Sequence, residues 1–199
     1  MDKKFARFLE MPPGPGRTAA LVAWFQGLYV ALGEEPPVLV GGAAVELYTG
    51  GAYTTGDLDF VGVVPEAVAE RLRAEGFSKQ GRLWVHSDDV YIELPGRALD
   101  DDERKARLEV EGGFVELLSP EDLIVDRLAA WKYWRSEADG VNAYLIYRAQ
   151  RDRLDDDRLR ALAGKRRVSD ACEELERFGI SSGFEASSEE LFAWAKKQQ

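Results

Sequence analysis

Two aspartates one residue apart, Asp57 and Asp59, are the side chains of this sequence best suited to chemistry. They lie in the run Asp57-Leu58-Asp59-Phe60-Val61, where polar and apolar residues alternate. That period of two predicts a strand with both carboxylates on one face and Leu58 and Phe60 on the other. Like charges held side by side repel unless a cation sits between them. Carboxylate oxygens in that arrangement suit Mg²⁺, which binds through one or two carboxylates together with substrate phosphates. Upstream, the apolar run Val38-Leu39-Val40 stops at Gly41-Gly42, fifteen positions before Asp57. A glycine pair where a strand hands over to a helix lets backbone approach a phosphate closely. Thr54 and Thr55 either support such phosphates or shape the loop. A plainer arrangement fits the same residues: an edge strand with a polar outer face, preceded by turn glycines.

The elements that must position these groups follow from periodicity. A short helix over 2–10 is broken by Pro12, Pro13 and Pro15. Leu21, Trp24, Phe25, Leu28 and Leu32 recur at helical spacing and predict a helix over 18–32, closed by Gly33 and Pro36-Pro37. Strand 38–40, helix 43–48 and strand 57–64 come next, then a helix with Pro65 at its first position that ends at Gly76. Strands 82–86 and 90–94 are joined by Ser87-Asp88-Asp89. In the second, Val90, Ile92 and Leu94 share one face, and Tyr91 and Glu93 the other. The acidic stretch 99–105 reads as a solvated loop or helix start, and 107–110 with 114–118 as a hairpin turning at Gly112-Gly113.

From Ser119 the pattern is helical only. Ser119-Pro120-Glu121-Asp122 supplies a cap, a proline at the first position and acids in the first turn. Leu123, Ile124, Leu128, Trp131 and Trp134 form an apolar stripe, and further helices are predicted over 140–150, 155–163, 169–178 and 188–197. The expected fold class is α+β: a mixed sheet flanked by helices over residues 1–118, then a helical C-terminal domain over 119–199.

The ordered set Val38-Leu39-Val40, Gly41-Gly42, a short helix and Asp57-Leu58-Asp59 resembles the signature of the polymerase-beta-like nucleotidyltransferases. The Gly42-to-Asp57 spacing is similar to that of the minimal members found in bacterial toxin–antitoxin and abortive-infection systems. The run Ser119 to Trp134, SPEDLIVDRLAAWKYW, also resembles the helix that follows the catalytic sheet in that subgroup. The resemblance spans roughly Val38 to Ala149. It implies two Mg²⁺ (or Mn²⁺) ions held by Asp57 and Asp59 on a nucleoside triphosphate such as ATP. A third carboxylate is implied on a neighbouring strand, and Glu93 is the best candidate, while Asp88 and Asp89 read as turn residues. The third acid is often Asp in that family, and Glu reaches further. Gly41, Gly42 and Thr55 would face the phosphates. On the helix after the sheet, a basic residue contacts the triphosphate in the family, which points to Arg127 and secondarily Lys132; an ion pair is the plain alternative for Arg127. Asp139 matches an acidic position there and equally suits a helix cap.

The implied reaction moves a nucleoside monophosphate to a hydroxyl of tRNA or protein and releases pyrophosphate, with a toxin or antitoxin protein as a further partner. The alternative is a nucleotidyltransferase fold without turnover that acts as an antitoxin-like binding module. Composition narrows the rest. The 199 residues carry a net charge of −10, which argues against a broad electrostatic grip on nucleic acid and disfavours a DNA-binding regulator. Lys165-Arg166-Arg167 is too short a basic run to change that. One cysteine, Cys172, and one histidine, His86, exclude an intrachain disulfide and argue against Cys/His zinc sites. His86 reads as structural, the Trp131/Trp134 and Tyr144/Tyr147 sets as core, and Asp155-Asp156-Asp157 as a solvated helix start. The N-terminal stretch lacks a signal-peptide apolar region and no apolar run reaches about 18 residues, so the expectation is a cytoplasmic protein with no membrane partner.

Overall fold

Short β-branched and apolar runs between glycines and prolines build a single mixed sheet in the first half of the chain. The computed structural model describes residues 3–111 and 113–197. The chain divides into two compact units, Met1–Leu118 and Ser119–Gln199.

In the first unit the elements run α1 (Lys3–Leu9), α2 (Pro15–Val30), β1 (Val38–Val40), α3 (Gly41–Tyr48), β2 (Asp57–Val61), α4 (Glu66–Ala74), β3 (Ser78–Gln80), β4 (Leu83–His86), β5 (Val90–Gly96), β6 (Lys105–Val110) and β7 (Gly113–Leu118). The strand order is β3-β4-β5-β2-β1-β7-β6. β1 runs antiparallel to β2 and parallel to β7, and β2 runs parallel to β5. Cross-strand partners Trp84, Ile92 and Leu58, and then Phe60, Leu39 and Leu117, are all buried and give the sheet one apolar face. α2 covers it, with the Phe25 ring 4.8 Å from that of Phe60. The Gln26 amide is buried there, donating to Pro37 O and Glu116 O and accepting from the Glu116 N–H. It thereby satisfies backbone groups beside the short β1–β7 pairing.

Several boundaries differ from the periodicity. α2 starts at Pro15, because a proline tolerates the first helical position. β2 stops at Val61, where Gly62 takes φ +158 against Pro37. Pro65 caps α4 instead of opening it. β3 has no apolar alternation to announce it; its Ser78, Lys79 and Gln80 are exposed on an edge. Gly112 of the predicted turn lies outside the described residues, and β6 and β7 pair from Lys105↔Leu118 to Val110↔Gly113. His86 is buried, with Nε2 at 3.1 Å from Glu75 O and Nδ1 accepting from the Asp88 N–H.

The second unit holds α5 (Pro120–Trp134), α6 (Glu137–Gln150), a short 3₁₀ turn (Arg151–Arg153), α7 (Asp156–Lys165), α8 (Ser169–Ser181) and α9 (Ser188–Lys196). Ser119 Oγ accepts from the Asp122 N–H and caps α5. Ser136, three residues before Asp139, caps α6. Trp131 packs 4.6 Å from Trp194 and donates from Nε1 to Ala195 O at 2.8 Å. Trp134, expected on the same stripe, is instead 82% exposed: three residues on from Trp131, at the last turn of α5, it has rotated off the buried side.

A Cβ on Gly140 would fall 2.9 Å from two atoms of the Trp131 ring. Gly140→Ala normally helps a helix by about 1 kcal/mol, but that ring is pinned on its other sides. Overpacking wins, and we expect a net loss of about 1–3 kcal/mol, read as a lower urea midpoint.

Candidate active site

β1 delivers the chain to a corner at Gly41, the first residue of α3, which adopts φ +64. A Cβ there would fall on Asp59 Oδ2 and 3.1 Å from Asp59 Cβ, so only glycine admits the Asp59 carboxylate against the corner. Gly42 is covered in turn: a Cβ would lie 3.1 Å from Thr55 Oγ and 3.3 Å from the Tyr53 ring. Thr55 Oγ also accepts from the Asp57 N–H at 3.4 Å, tying the loop to the start of β2. The register Val40↔Asp59 sets the corner directly beside that aspartate.

Asp57 and Asp59 share the face of β2 opposite Leu58 and Phe60. β5 continues this face: Asp57 is opposite Tyr91, and Asp59 is opposite Glu93. Asp57 is exposed, while Asp59 and Glu93 are half-buried. Tyr91 donates from its hydroxyl to Asp89 Oδ1 at 3.1 Å, which, with the nearby charge of Asp57, raises its pKa. Asp88 and Asp89 occupy the β4–β5 turn, with Asp89 at φ 55. Glu93 leans toward β4, where Arg82 forms an ion pair with its Oε1. Among the described residues, no three His, Cys, Asp or Glu side chains gather closely enough to hold an ion. The carboxylates share a face and a register without closing on one point.

Thr55 and Gly56 line a cavity of about 170 Å³ with Arg17, Thr18 and Asp89. A wider one of about 600 Å³ lies at the opposite end of β1 and β2, between Pro37, Val38, Val61 and Gly62. It contains none of the candidate residues, so size does not mark the site here.

Behind the corner, Glu46 is buried and accepts from Thr18 Oγ at 3.0 Å. Burial raises its pKa above the ordinary 4.5, only partly offset by the Thr18 hydroxyl and the Thr55 backbone. A raised folded-state value means that its stabilising contribution is complete below the unfolded pKa and is lost as pH rises through the folded one. Glu46→Gln keeps the hydroxyl partner and removes the charge. We expect it to raise the thermal midpoint at neutral pH and to match the parent below about pH 4.

Arg127 and Lys132 belong to the second unit. Arg127 donates to Asp139 Oδ1 at 2.7 Å and to Asp126 Oδ2 at 2.6 Å. Burial opposes its charge, but the two carboxylates outweigh that and hold its pKa above the usual value. Lys132 donates to Asp170 Oδ1 at 2.6 Å and to Arg167 O at 2.9 Å. Both bases therefore carry acidic partners, and Asp139 serves as one of them. Sequence reasoning passed over Arg82 and Glu46. Arg82 was within reach: a hairpin pairing His86 with Val90 sets Leu83 opposite Glu93 and Arg82 beside it.

No family model matches the chain, and no curated protein matches its sequence. Among solved structures, it is similar to an antigenic nucleotidyltransferase-like protein from Paracoccidioides brasiliensis. The TM-score is 0.58 at 17% identity, over 89% of this chain and 96% of that one. The fold is nucleotidyltransferase-like. At this identity the likeness is one of backbone path, and the side chains must be argued from their own geometry.

Proposed function

We propose that the chain is a minimal nucleotidyltransferase that uses Mg²⁺ or Mn²⁺, with a nucleoside triphosphate such as ATP as donor. The observation that carries this is the register of Asp59 between Gly41 and Glu93, with Asp57 on the same face. Such a set of hard oxygen donors fits a divalent cation. Asp57, Asp59 and Glu93 would hold it. The ion supplies charge neutralisation for the phosphoryl oxygens of an in-line displacement. Gly41 keeps the Asp59 carboxylate in place, and Thr55 fixes the loop ahead of Asp57. Glu93, the carboxylate with the longest reach, takes the proton of the acceptor hydroxyl. The acceptor oxygen bonds to the α-phosphorus, the bond to the bridging oxygen breaks, and pyrophosphate leaves. The acceptor is a hydroxyl of tRNA or protein, and a toxin–antitoxin pair is the setting that the resemblance favours.

The test is to incubate the chain with each α-labelled triphosphate, Mg²⁺ and cell extract. We expect label in one macromolecular fraction, lost in Asp57→Ala/Asp59→Ala. No labelled product with any nucleotide contradicts the reading. A second reading, an antitoxin-like binding module without turnover, is favoured by the Arg82 contact that occupies Glu93. Calorimetry that shows nucleotide or partner binding without pyrophosphate release would support it.

A further inference from the structure

The Glu93 carboxylate already carries a cation, the guanidinium of Arg82. Arg82 sits in the lead-in to β4, and its backbone carbonyl accepts from the Leu94 N–H at 3.3 Å. That bond fixes its position beside β5. From there its guanidinium reaches Glu93 Oε1, with the Arg82 side chain 70% exposed and that of Glu93 27%. On the other flank of Glu93, in register on β2, is Asp59. Neighbouring strands are about 4.8 Å apart, so without a cation the two carboxylates would face each other at repulsive range.

We propose that Arg82 is a positioning residue that competes with the divalent cation for Glu93. It neutralises the carboxylate while no ion is bound and is displaced when the ion arrives. This rests on the reading of Asp57, Asp59 and Glu93 as a cation site. Three physical points carry it. The guanidinium offers Glu93 a planar fork of charged donors that matches a carboxylate, so it can stand in for a cation there. An ion pair this exposed contributes little to stability, so a divalent ion gathered by three carboxylates can break it. Glutamate has one more methylene than the aspartate common at such positions, which lets Glu93 swing from Arg82 toward Asp59 with the backbone at rest.

The experiment is Mn²⁺ titration of the full chain, followed by calorimetry and by the spin-resonance signal of free Mn²⁺. Arg82→Gln is expected to bind Mn²⁺ about two- to fivefold more tightly than the parent. Arg82→Lys, which keeps the charge, should fall near the parent. Arg97→Gln, an equal loss of charge that does not touch Glu93, should leave the affinity unchanged. In a Glu93→Gln background Arg82→Gln should have no effect, as a double-mutant cycle requires when the two side chains act on each other. Unchanged or weaker binding by Arg82→Gln overturns the proposal. So does a gain that persists in Glu93→Gln or that Arg97→Gln reproduces. Loss of Mn²⁺ in Asp57→Asn/Asp59→Asn with no change in Arg82→Gln overturns this inference alone. A parent that binds no Mn²⁺ overturns the cation site as well. A purely structural Arg82 would lower the thermal midpoint and leave the affinity where it was.

Discussion

Asp59→Asn should abolish nucleotidyl transfer, with a fall of at least about 10³-fold, and leave the chain folded. The estimate is that of removing one preorganised electrostatic group from a reacting centre, about 10²–10³-fold, compounded by weaker hold on a cation. Asn is isosteric with Asp and still fits against Gly41, so the sheet should survive. Its amide, however, donates on one side and brings no charge. Asp57→Asn should act in the same direction. Asp57 is exposed, so its stability cost should be small. Pyrophosphate release over a range of Mg²⁺ concentrations is the measurement. Recovery of the variant at high Mg²⁺ would mean that Asp59 contributes affinity for the ion alone.

Gly41→Ala should damage both fold and function. The left-handed φ costs an alanine about 1–2 kcal/mol, and the new methyl would occupy the space of Asp59 Oδ2. Either Asp59 turns off the corner or the first turn of α3 shifts. The first outcome removes activity in a folded protein, and the second removes stability too. We expect a drop of about 2 kcal/mol or more in urea unfolding, with residual transfer no better than that of Asp59→Asn. Gly42→Ala is the milder companion. Its φ is ordinary, and the Thr55 hydroxyl and Tyr53 ring edge at 3.1–3.3 Å can yield by small side-chain rotations.

The parts of this molecule that sequence could disclose are those with a strong period or strong punctuation. Val38-Leu39-Val40, the alternation from Asp57, and the Ser119-Pro120 start of α5 all appear where they were expected. The sheet class follows from them. β3 could not be read, because three exposed polar residues on an edge carry no burial signal. Trp134 misled for the opposite reason: its spacing resembled the buried stripe, but successive steps of three carry it round the helix and off the buried side. At the site, the polar face of each strand, Asp57 with Asp59 and Tyr91 with Glu93, was legible from alternation, while the parallel pairing that joins the two faces and places Glu93 opposite Asp59 depends on strand order, which no local pattern encodes. Partner choice was likewise hidden. Arg127 stood in the run chosen for a phosphate contact, but its guanidinium lies between Asp126 and Asp139, the second of them twelve residues on.

The most direct measurement is a crystal of the full chain grown with Mn²⁺ and a non-hydrolysable nucleoside triphosphate, with data collected for the anomalous signal of manganese. We expect a peak bounded by the oxygens of Asp57 and Asp59, with Glu93 turned from Arg82 toward it and triphosphate oxygens completing the shell. A nucleotide bound elsewhere, with no manganese peak at those aspartates and Glu93 still on Arg82, would contradict it.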